Sequence, residues 1–308
     1  MKKHDLSILD LDCKLVTELL ASFIRNQIQK TGMKKAILGL SGGIDSALVA
    51  FLCKEAIGAK NVLGVRMPYK TSSQESLDHA YEVAEKAGIE FTTFDITATA
   101  DGFINTQLAL DTMPAEFFNA ELLSGKNKED AGIKIENTLT PTSRGNIMAR
   151  ARMISLYHLS AVTNAMVVGT SNKTEMLIGY GTLWGDLAYG INPIGDLYKY
   201  QVRQLSKYIG VPESVINKKP SADLFPGQTD EGDLGFSYSE MDYALYKLVD
   251  CRENPKLLIE SGECSQKLIE FCMKKITSMQ FKRQMPLIAL ISFRTINQSF
   301  NYPRDWAL

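Results

Sequence analysis

The sequence predicts an α/β fold built on a doubly wound parallel sheet, with flanking helices and a small C-terminal helical appendage. Three observations predict it. Short apolar runs alternate with amphipathic helical patterns over residues 35–96, the β-α-β-α-β rhythm of crossover units. A glycine-rich turn joins the first run to its helix. A further apolar run, Ala165 to Gly169, follows a helical pattern over about 143–163 and supplies a fourth strand.

In chain order, residues 7–30 read as an amphipathic helix with Leu15, Leu19, Phe23 and Ile24 on one face. Lys35 to Leu40 suits a strand buried on both sides of a parallel sheet. Ala47 to Ile57 is helical in pattern, and Asn61 to Met67 is a second strand. Ser72 and Glu75 stand three apart as in a capping box, and Gly88 suits the end of the helix they open. Phe91 to Ile96 is the third strand. The stretches 125–142 and 218–236 read as loops long enough to suggest function, the second a natural lid. Helical patterns at about 238–250, 255–261 and 264–278 close the chain. The domain reading is a body over residues 1–250, with 251–308 as a helical extension of the same domain.

Composition excludes several classes. With 45% hydrophobic and 22% charged residues, the 308-residue chain has an ordinary globular balance. Its 34 Lys+Arg against 35 Asp+Glu give a net charge of −1, which argues against a broad grip on nucleic acid. The five cysteines form no C-x-x-C pair, so neither a disulfide framework nor a zinc site is suggested. No secretory h-region follows Met1, and the longest apolar stretch, Met285 to Ile291, falls far short of the ~20 residues of a membrane span. The expectation is a cytoplasmic chain with no membrane partner.

The octet Gly39-Leu40-Ser41-Gly42-Gly43-Ile44-Asp45-Ser46 carries the most chemistry. Between a strand and a helix, Gly42 and Gly43 allow close backbone approach to a ligand. Successive N–H groups backed by the helix N-terminus then favour an anion. Ser41 and Ser46 add hydroxyls. Asp45 beside phosphate calls for an intervening cation, and Mg²⁺ is the physical inference. No Lys follows the glycines, so the turn is not a Walker A loop.

The octet resembles the pyrophosphate-binding loop of the ATP-pyrophosphatase superfamily. Further blocks narrow the resemblance to NAD synthetases: Arg144 to Met153, Gly169 to Glu175 with Gly179 to Thr182, Asn192 to Lys199, Pro220 to Leu224, and Gln228 to Glu231. The resemblance implies an adenine-nucleotide α-hydrolase-like fold, a homodimer, and ATP as co-substrate. It implies amidation of nicotinic acid adenine dinucleotide (deamido-NAD) with ammonia through an adenylated intermediate, releasing AMP and pyrophosphate. By residue, it places Gly39 to Ser46, Thr170, Lys199 and Ser221 on ATP, Asp45 and Glu175 on Mg²⁺, and Arg150 on the dinucleotide. Asp186 matches an aspartate thought to help deprotonate ammonium. The chemistry asks for such groups independently: charge on the phosphates must be offset, ammonia needs its lone pair, and water must be excluded.

The acceptor half departs from the family's pattern. Leu183 stands where many ammonia-using members have a lysine, Gly190 where many have an aspartate, and Phe281 where a histidine is common. Nicotinic acid mononucleotide therefore stays open as acceptor. The glutamine-using enzymes carry an N-terminal amidase domain, for which the 38 residues before Gly39 leave no room. The expectation is ammonia as the direct donor, with supply by a separate glutaminase chain left open. A tRNA-modifying ATP pyrophosphatase would be expected to carry a basic region, and a non-enzymatic nucleotide module would not need Glu175 or Lys199.

Overall fold

The computed structural model describes residues 5–108, 133–134, 139–221 and 229–293. Four parallel strands form the main sheet: β1 (Lys35–Gly39), β2 (Val62–Arg66), β3 (Glu90–Thr93) and β4 (Ala165–Val167), in the order β3-β2-β1-β4. Ile37 pairs with Leu63 on one side and Val167 on the other. The chain thus winds outward from β1 through β2 to β3, then returns to the opposite side of β1. That reversal makes the carboxyl ends of β1 and β4 the switch point, where open α/β sheets bind ligands.

Alternation along β1 divides the core in two. Ala36 and Leu38 face helices α1 (Cys13–Gln29) and α2 (Ile44–Ile57), with α3 (Gln74–Ala87) completing that layer. Ile37 faces the other way, onto Ala100 of α4 (Thr97–Ile104) and Met148 and Ala151 of α5 (Pro141–Thr163). Both faces of the sheet are covered, so its central strands read as unbroken apolar runs.

The remaining helices are α6 (Lys173–Ile178), α7 (Lys199–Ile209), α8 (Glu213–Asn217), α9 (Asp230–Leu234), α10 (Tyr238–Leu245), α11 (Pro255–Glu260) and α12 (Gln266–Ser278). A π-helical turn over Tyr246–Asp250 continues α10. The last three helices share an apolar cluster: Met241, Ala244 and Leu245 precede residue 250, and Leu258, Leu268 and Cys272 follow it. Ile178 and Tyr198 of the main body join them.

Several expected elements are corrected. Residues 7–30 are not one helix: a 3-10 turn over Leu6–Leu9 precedes α1, whose cap is Asp12, accepting from Leu15 N. Leu15, Leu19 and Phe23 are exposed, and α1 instead buries Ala21, Ile24 and Ile28. At 100° per residue, Ile24 falls on the far side of the helix from Leu19. The cap of α3 is Ser73, one residue beyond Ser72, accepting from Ser76 N at 3.2 Å. Its end is as expected, with Gly88 left-handed at φ 68°. The third strand starts at Glu90 and ends at Thr93. Pro141 and Thr142 belong to α5, and α9 lies inside the expected loop 218–236. Residues 222–228, most of 125–138 and the tail 300–308 fall outside the described residues.

Candidate active site

The octet forms the turn from β1 into α2, with Gly43 as cap. Gly42 has φ +74°, and a Cβ there would lie 2.2 Å from the carbonyl oxygen of Ser76, so only glycine fits. The serine hydroxyls shape the turn itself. Ser46 Oγ donates to Gly43 O at 3.0 Å and lies 3.1 Å from Ser41 Oγ, while Gly43 N donates to Ser41 Oγ at 3.3 Å.

A cluster of opposite charges stands beside the turn. Lys199, only 2% exposed at the start of α7, donates from Nζ to Asp45 Oδ2 at 2.5 Å and to Glu175 Oε1 at 3.1 Å. Burial works against the ammonium, but the carboxylates of Asp45 and Glu175 outweigh it and hold Lys199 above the usual lysine range. Burial likewise pushes the Glu175 carboxyl up to about 7, against the pull of Lys199. Asn172 ties the cluster to the chain. It is fully buried, caps α6 through a capping box with Glu175, and donates from Nδ2 to Asp45 Oδ1 at 2.9 Å. Its spacing to Glu175 is the sequence signal that marks it.

Behind Lys199 lie two further acidic groups. Asp230 accepts from Tyr238 at 2.9 Å and from Tyr180 at 3.0 Å, and Lys199 Nζ sits 4.9 Å from the Tyr238 ring centroid. Asp242, fully buried on α10, holds the start of α7 in place. It accepts from Tyr200 N at 2.7 Å and from the Thr174 hydroxyl at 2.5 Å, and Thr174 Oγ1 in turn accepts from Lys199 N at 3.1 Å. The first N–H groups of a helix have no partner within it, and here another element satisfies them. Asp230 falls in the Gln228 to Glu231 block, though nothing there marks its tyrosine partners. Asp242 was not marked at all, because its partners Tyr200 and Thr174 lie 42 and 68 positions away.

The octet apart from Gly42, together with Glu175, Tyr180, Lys199 and Asp230, lines one cavity of about 870 Å³ at the switch point. Thr170, Ser221 and Asp186 also line it. Asp186 is solvent-accessible in the cavity wall and accepts from Thr182 N at 2.8 Å. The protein surrounding it raises its carboxyl above the usual range. The structure does not bring Arg150 to this wall; the residue is exposed and donates to Leu183 O at 3.3 Å. Arg152, two residues on, lines the cavity and donates to Met67 O at 3.0 Å. Lys282 lines it too, donating to Gly179 O and Gly181 O at 2.8 and 2.6 Å. At Gly190, a Cβ would lie 2.4 Å from Met166 Sδ, so a larger side chain does not fit without displacing it. Phe281 is exposed.

Asp45 and Glu175 offer hard oxygen donors on a cation that is already there, the lysine ammonium. Among the described residues no group of three or more His, Cys, Asp or Glu side chains is arranged to hold a metal ion by itself. That set fits a divalent cation shared with phosphates and not an all-protein cage.

A glycine turn at a parallel-sheet switch point, with an acidic pair and a buried lysine beside it, defines a nucleotide-binding α/β protein of the ATP-pyrophosphatase kind. The chain belongs to the NAD synthase family, whose sequence profile matches residues 16–286. It is 46% identical to the NH(3)-dependent NAD(+) synthetase of Trichlorobacter lovleyi over 98% of this chain and 99% of that one. Among solved structures it resembles the NH3-dependent NAD synthetase of Campylobacter jejuni (32% identity, TM-score 0.69, covering 91% of this chain and 100% of that one). It also resembles the NMN synthetase of Francisella tularensis (28% identity, TM-score 0.72, covering 91% and 99%). No described helix is long and apolar enough to cross a membrane.

Proposed function

We propose that this chain is a C–N bond-forming ligase that converts deamido-NAD, ATP and ammonia into NAD, AMP and pyrophosphate. One observation carries the reading: the glycine turn, the Asp45–Lys199–Glu175 cluster and Asp186 share one cavity in a chain of the NAD synthase family. The turn's N–H groups and the α2 N-terminus would hold the ATP phosphates, with Thr170 and Ser221 toward the rest of the nucleotide. Asp45 and Glu175 would hold Mg²⁺, which when bound supplies charge neutralisation at the phosphates. Lys199 positions both carboxylates and contributes its own positive charge.

The nicotinate carboxylate oxygen bonds to the α-phosphorus as the bond to the bridging oxygen breaks, and pyrophosphate leaves with that electron pair. Ammonia then attacks the acyl carbon and AMP leaves. Ammonium has no lone pair, so a base must take its proton. Asp186, ionisable and open to the cavity, fits that role, and its raised carboxyl makes it a better base than a free aspartate. Arg150 and Leu183, joined by their hydrogen bond, are the residues we assign to the acceptor's outer part.

A homodimer in the cytoplasm is part of the same reading. Support comes from the exposed apolar stripe of α1, and from cysteines that are all free. A mononucleotide acceptor is the second reading, favoured by Leu183, Gly190 and Phe281. The two part in an ammonium- and ATP-dependent assay that follows AMP with each acceptor. Faster turnover with the dinucleotide is expected, faster turnover with the mononucleotide establishes the second reading, and no AMP with either overturns both.

A further inference from the structure

Two lysines approach the glycine turn, and their electrostatic situations differ. The charge of Lys199 is taken up by two carboxylates. Lys218, the residue after α8, also lines the cavity. Its Nζ donates to Ser76 Oγ at 2.7 Å, and among the described residues no carboxylate lies within ion-pair distance.

Ser76 places this ammonium at the turn. It is buried in the first turn of α3 and also accepts from Ser73 Oγ at 2.8 Å. Its backbone carbonyl is the atom that a Cβ on Gly42 would strike at 2.2 Å. The sheet order fixes the side. The α3 helix follows β2, whereas Asn172 and Glu175 follow β4, and β2 and β4 flank β1 on opposite sides. The turn therefore has the acidic pair on one side and an uncompensated cation on the other.

Resting on the reading above, we propose that Lys218 is a phosphate ligand of the adenylation step, released from Ser76 to the pyrophosphate portion of ATP. In that step the carboxylate oxygen–α-phosphorus bond forms and the α-phosphorus–bridging oxygen bond breaks. The electron pair stays on the departing pyrophosphate, and no proton moves. Negative charge grows on that group, and a lysine ammonium is a compact point charge suited to it. The neutral serine hydroxyl is a partner it gives up for an anionic one, since hydrogen bonds to charged groups are the stronger kind.

The test uses the whole chain and two probes, inorganic pyrophosphate and AMP, titrated by calorimetry. Lys218→Met is expected to weaken pyrophosphate binding about tenfold, the worth of one charge-assisted hydrogen bond, with AMP binding within twofold of the original. Ser76→Ala removes the tether and keeps the charge, so pyrophosphate binding is expected to survive. Lys218→Arg should retain most of it. Unchanged pyrophosphate binding in Lys218→Met overturns the proposal. So does equal weakening in Ser76→Ala, or parallel loss of AMP, each of which makes the contact structural. If the unmodified chain forms no AMP from ATP and acceptor, the functional reading itself fails, a result separate from the behaviour of Lys218.

Discussion

Lys199 shows what a single residue is asked to do here. Its ammonium bridges the carboxylates of Asp45 and Glu175, and it offsets the burial that raises the Glu175 carboxyl. Removing one member of a buried ion pair leaves an uncompensated charge and typically costs about 3–5 kcal/mol. Lys199→Met is therefore expected to lower stability by that order in denaturant melts and to abolish AMP formation. A variant as stable as the original would show that Asp45 and Glu175 do not depend on the lysine. The octet was legible in the sequence because its chemistry is local, eight residues in one turn. The contacts that assemble the cluster were not. Asn172, marked as a cap by its spacing to Glu175, meets Asp45 across 127 positions and Asp242 meets Thr174 across 68, and no spacing rule spans such distances.

At the scale of elements, Asp242 joins the C-terminal helices to the site. It fastens α10 to the first turn of α7 and so to the backbone of Lys199. Burial pushes its carboxyl up to about 6 from an ordinary value of 3.8, against the hydrogen bonds from Thr174 and Tyr200. The folded state thus binds a proton more tightly than the unfolded one. Below pH ~4 both are protonated; as pH rises through the window to about 6, the folded state must bury a charge and stability falls. About two units correspond to roughly 3 kcal/mol. Asp242→Asn cannot ionise, so its stability relative to the original is expected to improve as pH rises from 4 to 6 and then level off. Thermal melts across that range check this, and a difference that stays flat would place the titration elsewhere. Element type was readable from periodicity over residues 35–96 and in the long helix before Ala165, whereas the helices Thr97–Ile104, Lys173–Ile178, Lys199–Ile209 and Glu213–Asn217 were not read from it. The boundaries slipped where capping chemistry decided them, as with Ser73 taking the place of Ser72.

For the whole molecule, the telling case is α1. Its sequence carries two apolar stripes, and periodicity alone does not say which one meets the core. The structure buries Ala21, Ile24 and Ile28 and leaves Leu15, Leu19 and Phe23 in solvent, with Ile154, Tyr157 and Val162 of α5 exposed as well. An isolated chain gives such residues no partner, and a second copy would. Leu19→Glu combined with Phe23→Glu is expected to convert a dimer to a monomer in light scattering, with the far-ultraviolet circular dichroism preserved. A dimer that persists would move the interface off α1.

The charge cluster at the switch point has a consequence for what the cavity admits. Asp45, Glu175 and Asp230 gather round one buried ammonium on one side of the glycine turn, while Lys218, Arg152 and Lys282 line the cavity without joining that acidic group. The cavity therefore presents both signs of charge, and a polyphosphate carrying its counter-ion toward the acidic side meets complementary charge on both. That polarity orients an incoming nucleotide at a distance and needs no contact with the base or the sugar.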